Sequence, residues 1–174
     1  GERLLAFAGQ LGANPAQTYS MLADADVDFP EVTLSDGSTV VASHAAYANG
    51  LHTLRSQRDR KALFDAHYTV YDSRPNTYAA IFNGVLQADW FTAQARRYTT
   101  TLAANLDENN IPVEVVERLI AAATAGAEPL RRYHRLRRQV LGLERYHSFD
   151  AYLPLVELDW QLPYDDLPAL VAES

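Results

Sequence analysis

Five histidines, His44, His52, His67, His134 and His147, are the side chains best suited to hold a metal or move a proton in this chain. None begins an H-E-x-x-H helix, in which two histidines one turn apart bind zinc and the glutamate activates a water. His44, His52, His67 and His134 each lack a second histidine three or four residues away, so they read as surface or hydrogen-bonded side chains. Glu144 and His147 have the Glu-x-x-His spacing that shares one helix face in carboxylate-bridged di-metal bundles. Such a site needs a second copy of the motif, and the sequence has none. Cysteine is absent, which excludes disulfides and thiolate metal sites. Ser38 sits in Asp-Gly-Ser-Thr, a turn sequence without the Gly-x-Ser-x-Gly elbow of an activated serine. Gly50 and Gly84 are isolated and form no phosphate-cradling loop. No catalytic, cofactor-binding or metal-ligating residue is assigned within the chain.

The densest charge is Arg131, Arg132, Arg135, Arg137 and Arg138. Arginine matches phosphate geometry, so one reading is an anion or nucleic-acid site. A solvated face is a second reading. The third is internal pairing, because residues 146–174 carry six acids (Asp150, Glu157, Asp159, Asp165, Asp166, Glu173) and no Lys or Arg. The net charge of -7 weighs against a general nucleic-acid partner, which calls for a basic surface. The ten tyrosines and six phenylalanines recur at helical spacing and read as core rather than as a base-stacking platform.

The elements that would carry these residues are helical. Residues 2–23 read as one or two helices interrupted at Gly12-Ala13-Asn14-Pro15, with Asn14 as N-cap. The one β signal is Glu31 to Leu34 and Thr39 to Val41 around Asp36-Gly37, a hairpin. Ser43 caps a helix running through Leu54. Asp59 to Asp72 is helical, with Leu63, Phe64, His67, Tyr68 and Tyr71 recurring at three and four. Pro75 interrupts the chain at Arg74. Thr77 to Leu106 reads as one long helix with apolar residues on both sides of its first half, suited to a deep position in a larger body. Pro112 opens the next helix, whose buried stripe is Val116, Leu119, Ile120, Ala123 and Ala127. Pro129 kinks or restarts it, and Gly142 stops it. Residues 148–163 are extended or irregular, and a last helix begins near Tyr164. The class is mainly α: a multi-helix array with one short hairpin.

Six short segments match a set of known sequence patterns. Arg55 to Tyr68 is similar to S-x-D-R-x-x-R-x-x-A-F-x-A-Y in shortened form. Asn76 to Gly84 resembles N-T-x-A-A-x-x-N-G, and Ala95 to Tyr98 resembles A-R-x-Y. Asn110 to Val116 is similar to N-I-P-x-E-V-Y. Arg132 to Leu143 resembles R-Y-x-x-L-R-K-x-x-L-G-L, and Phe149 to Leu155 resembles Y-D-x-Y-x-P-L. The six segments occur in order and span most of the chain, and together they resemble the helical region of oligoendopeptidase F-like peptidases of the M3 type.

The resemblance implies part of a larger helical zincin-type peptidase, upstream of its H-E-x-x-H motif. Residues 1–54 would belong to the N-terminal oligopeptidase domain, and 55–174 would form a helical region leading towards a catalytic domain beyond Ser174. Zinc is expected in the full-length parent and no cofactor in this chain. The chain would be a non-catalytic wall or support of a channel for short peptides. Its implied partners are the catalytic remainder, short peptides as substrates of the parent, and other copies by self-association, with neither nucleic acid nor membrane. A cytoplasmic location is expected. The start at Gly1 and the apolar periodicity near both ends lead us to expect an excised piece. The alternative class is a helical interaction or scaffold module with no catalytic role.

Overall fold

The computed structural model describes Gly9, residues 12–156 and Pro163. Of the helical stretch expected over residues 2–23, the part before Gly12 other than Gly9 lies outside these, as does the helix expected from Tyr164. Among the described residues the chain forms seven α-helices and one two-stranded hairpin.

Local chemistry sets most boundaries. Helix α1 (Asn14–Ser20) runs into a single wide turn, Met21–Ala25, with i→i+5 bonding such as Asp26 N to the Met21 carbonyl at 2.8 Å. Strands β1 (Glu31–Thr33) and β2 (Thr39–Val41) pair antiparallel, Val32 opposite Val40. Gly37 turns the loop at φ +85°, a conformation that glycine adopts without steric cost, and the Asp36 carboxylate accepts from Ser38 N at 2.9 Å. Ser43 caps α2 (His44–Thr53), and Ser56 caps α3 (Gln57–Asp72) by accepting from Asp59 N at 3.2 Å. Helix α4 (Pro75–Ala95) starts on a proline, and Arg74 before it leaves helical backbone. Then come α5 (Thr101–Asp107), α6 (Val113–Ala125) and α7 (Ala127–Val140). Gly142, at φ +65°, ends α7: its N–H reaches the Gln139 carbonyl, and the Leu143 N–H reaches that of Arg138. A 3-10 turn, Ser148–Asp150, follows.

Several expectations are corrected. Residues 77–106 are not one helix. The chain breaks at 96–100, where Arg97 takes φ 63° and Thr100 caps α5 by accepting from Ala103 N at 3.0 Å. Three consecutive threonines disfavour helix, and their hydroxyls offer a new cap. Asn14 is inside α1, whose N-cap is Ala13 without a side-chain bond. Helix α3 begins at Gln57, two residues early, because Ser56 supplies the cap. Pro112 precedes α6 as its N-cap. The restart before α7 falls at Gly126 rather than at Pro129, which is accommodated in the first turn where its missing N–H costs nothing.

The largest departure is in burial. Among the described residues the fully buried apolar side chains are Ala23, Ala42, Leu51, Leu63, Ala93, Phe149 and Leu153. Leu119 and Ile120, expected inside, are 66% and 62% exposed. Helix α4 packs on α1 through its small residues. A Cβ on Gly84 would come within 2.9 Å of Pro15 Cγ, so the glycine permits the close approach. The other side of α4 presents Phe82, Leu86 and Trp90 outwards.

Candidate functional site

Among the described residues five charged or polar ones are buried alongside that small core: Asp59, Arg60, His67, Arg137 and Asp150. Four of them lock the 141–153 segment onto α3 and α7 and the hairpin onto α3. Arg60 and Asp150 are fully buried and ion-paired at 2.6 Å. Asp150 also accepts from Arg60 Nε at 3.2 Å, Gln57 Nε2 at 2.8 Å and His147 N at 2.8 Å. Arg60 Nη1 donates to the carbonyls of Leu54 (2.7 Å) and Arg55 (3.0 Å). Arg137 donates to the carbonyls of Asp150 and Leu153 and to the phenols of Tyr133 and Tyr146, both at 3.1 Å. Asp59 clasps the hairpin turn by accepting from Ser35 N and Oγ, and the Ser35 hydroxyl holds its carboxyl below the ordinary range.

His67 lies at the centre of an aromatic cluster. Its ring stacks between Phe29 and Tyr47, with interplanar angles of 6° and 7°. Its Nδ1 lies 2.8 Å from the Ala42 carbonyl, which can only accept, so Nδ1 carries the proton. His44 meets the same ring edge-on and faces the Tyr71 hydroxyl at 3.4 Å.

Beside this cluster α2, α3 and the 148–152 turn enclose a cleft of about 410 Å³, lined by Tyr47, Ala48, Leu51, His52, Phe64, Tyr68, Ser148 and Tyr152. Gly50 lets α2 and α3 approach beneath it, since a Cβ there would come within 2.5 Å of Leu63 Cδ2. Burial, reinforced by the neighbouring Tyr68 phenol, pushes the Tyr47 hydroxyl up to about 12. Among the described residues the cleft's lining includes no carboxylate and no paired nucleophile and base. Its chemistry is recognition of apolar and aromatic groups with a few phenolic hydrogen bonds.

The other three histidines are dispersed. His52 faces the Tyr152 ring in the cleft, His134 pairs with the Tyr146 hydroxyl at 3.1 Å, and His147 stacks on Phe149. Glu144 and His147 are on no helix, so their spacing brings them to no shared face. Among the described residues no group of three or more His, Asp or Glu is arranged to hold a metal. The donors among the described residues do not fit zinc. No helix among them is long and apolar enough to cross a membrane.

The five arginines separate. Arg131 and Arg135 pair with Glu128 on their own helix, and Arg137 alone is buried. Asp150, expected among their partners, belongs to Arg60 instead. Pairing with the other acids of the 157–174 segment lies outside the described residues. Sequence reasoning missed Arg60, Asp150 and Arg137 as a unit. All three fall within the quoted motif segments, but spacing cannot reveal a contact across 90 residues.

No family model matches the chain. Individual proteins do. It is 35% identical over 156 residues to oligopeptidase PepF of Bacillus subtilis, covering 90% of this chain and 23% of that protein. It is 31% identical to the group B oligopeptidase PepB of Streptococcus agalactiae, covering 95% of this chain and 27% of the relative. The fold superposes on crystalline oligoendopeptidase-F from Enterococcus faecium with a TM-score of 0.82 and 32% identity, covering 87% of this chain and 29% of that one. The chain thus spans about a quarter of the length of the relatives it matches. In sequence and in fold the chain is homologous to a part of these oligoendopeptidase F-like peptidases of the M3 type.

Proposed function

We propose that the chain is a non-catalytic helical segment of an M3-type zinc metalloendopeptidase that cleaves short peptides, and that it forms wall or support of the substrate channel. The observation that carries this reading is homology over nine-tenths of the chain to a quarter of each peptidase. The outward apolar faces of α4 and α6 support it, because an isolated helical domain has reason to bury Phe82, Trp90, Leu119 and Ile120. Residues 1–54 then belong to an N-terminal oligopeptidase domain, and 55–174 lead towards a catalytic domain that supplies the zinc ligands and the general base. The parent is cytoplasmic, and the isolated chain self-associates through the uncovered faces.

The reading is tested by expressing the 174-residue chain and, separately, the same chain with the coding sequence that follows it. The short form is expected to bind no stoichiometric zinc and to leave quenched fluorescent peptides intact. The long form is expected to contain H-E-x-x-H, to cleave these peptides and to stop when zinc is chelated. Stoichiometric zinc and chelator-sensitive cleavage by the short form would overturn it. So would a following reading frame without the motif, which would favour the helical interaction module instead.

A further inference from the structure

The cleft between α2, α3 and the 148–152 turn receives rings from all three elements: Tyr47 and His52 from α2, Phe64 and Tyr68 from α3, and Tyr152 from the turn. Two of these rings are braced by the buried core. Tyr47 stacks on buried His67 with ring centroids 4.5 Å apart, and Phe64 packs on buried Phe149 at 5.4 Å. Phe149 adjoins Asp150, which the buried Arg60 fixes to α3. Walls held in this way spare a ligand the cost of ordering them. Tyr152 is the open side of the cleft. It is 59% exposed, and its one ring neighbour among the described residues is His52 at 5.5 Å.

We propose that this cleft binds an uncharged aromatic side chain of a peptide. Its size, its charge and its donors select that class. The volume of about 410 Å³ lies at the lower end of the roughly 300–1,000 Å³ of small-ligand sites and suits one ring with its adjoining amides. Among the described residues the lining includes no carboxylate, lysine or arginine, so a charged ligand would lose hydration without gaining a counter-charge. The hydroxyls of Tyr47, Tyr68, Tyr152 and Ser148 can donate to an amide carbonyl. Burial keeps the Tyr47 hydroxyl protonated, and so a donor, up to about pH 12. Aromatic pairs contribute beyond the area they bury, which favours a ring over an aliphatic side chain of similar size. The assignment does not rest on the peptidase reading, because it concerns binding to this chain without turnover.

The test uses the full 174-residue chain, with isotope-labelled aromatic rings followed by NMR and N-acetyl-tyrosinamide as the probe. The probe is expected to shift the Phe64 and Tyr68 ring resonances saturably. N-acetyl-leucinamide, which lacks the ring, is expected to bind several-fold more weakly. So are the charged relatives N-acetyl-tyrosine and tyramine. Tyr152→Ala removes an exposed ring, so the fold is retained, and is expected to weaken binding about three- to ten-fold. Ala48→Trp acts in the opposite way, filling the cleft from an exposed position of α2, and is expected to abolish binding. Leu119→Ser on the exposed face of α6 is expected to change nothing, which separates the cleft from the chain's other apolar surface. Absence of saturable shifts would overturn the proposal. So would N-acetyl-leucinamide binding as tightly as N-acetyl-tyrosinamide, or binding insensitive to both cleft variants.

Discussion

Removing the Asp150 carboxylate is the most severe single test of how this structure holds together. Asp150→Ala leaves the fully buried Arg60 guanidinium with its Nε and Nη2 protons unpartnered. Gln57 retains the Arg145 carbonyl at 2.8 Å, whereas the His147 N–H loses its acceptor. Breaking a buried pair by deleting one partner costs about 3–5 kcal/mol, because the surviving charge stays desolvated. Domains of this size are stable by only about 5–15 kcal/mol, so the loss takes much of the total. The assay is urea unfolding followed by far-UV circular dichroism, with the midpoint and slope compared between variants. Arg60→Met/Asp150→Leu, which removes both charges and keeps volume, is expected to recover most of the loss. If Asp150→Ala shifts stability by less than about 1 kcal/mol, the pair is not a determinant of the fold and the reasoning fails.

Three further outcomes follow from particular contacts. Gly50→Ala puts a methyl 2.5 Å from Leu63 Cδ2 and 3.1 Å from Leu54 Cδ1, and is expected to destabilise by about 1–3 kcal/mol as overpacking; a neutral effect on the urea midpoint would show that these side chains give way freely. Arg135→Ala removes only an exposed pair with Glu128 and should cost about 0–1 kcal/mol, whereas Arg137→Ala leaves two buried carbonyls without their donor and should cost at least about 2 kcal/mol; equal effects of the two would contradict this division. Tyr47 ionises near 12 in the folded chain against an ordinary 10.0, so its contribution is complete below pH 10 and is lost as pH rises towards 12. Urea midpoints of Tyr47→Phe should therefore fall less steeply than wild type across that window, and parallel decline would refute the shift.

What could be read from the sequence was what local chemistry decides. The hairpin at Asp36-Gly37, the Ser43 cap and the Gly142 stop each depend on a few adjacent residues and appear where their chemistry places them. The break at 96–100 was hidden because Arg97 is not a residue that announces left-handed backbone, and the threonine cap competes with an otherwise continuous helical pattern. The candidate cleft was legible only in part. Phe64, Tyr68 and Tyr47 showed helical periodicity, but their convergence with Tyr152 requires the long-range placement of the 148–152 turn. Of the five clustered arginines, nothing local marks Arg137 as the buried one. Periodicity on α6 identified an amphipathic helix correctly while leaving open whether anything covers its apolar side.

That last distinction bears on why so much charge is inside and so much hydrocarbon outside. Apolar burial is non-directional and stabilises in proportion to area, so a chain with little buried apolar surface gains little from it. The Arg60–Asp150 and Asp59–Ser35 clasps act differently. Each fixes a definite geometry between segments distant in sequence, Asp150 to α3 across 90 residues and the hairpin to α3 across 24. Directional clasps of this kind can hold an array of helices in register without consuming its apolar faces. The faces carrying Phe82, Leu86 and Trp90 on α4, and Leu119 and Ile120 on α6, then remain available for assembly. If instead those faces were a collapsed core poorly closed, loosening the clasps would redistribute exposure across them. On the clasp account, Asp150→Ala unfolds the α3 region while the outward faces gain no protection. Hydrogen exchange of α3, α4 and α6 in the wild type and in Asp150→Ala distinguishes the two accounts directly.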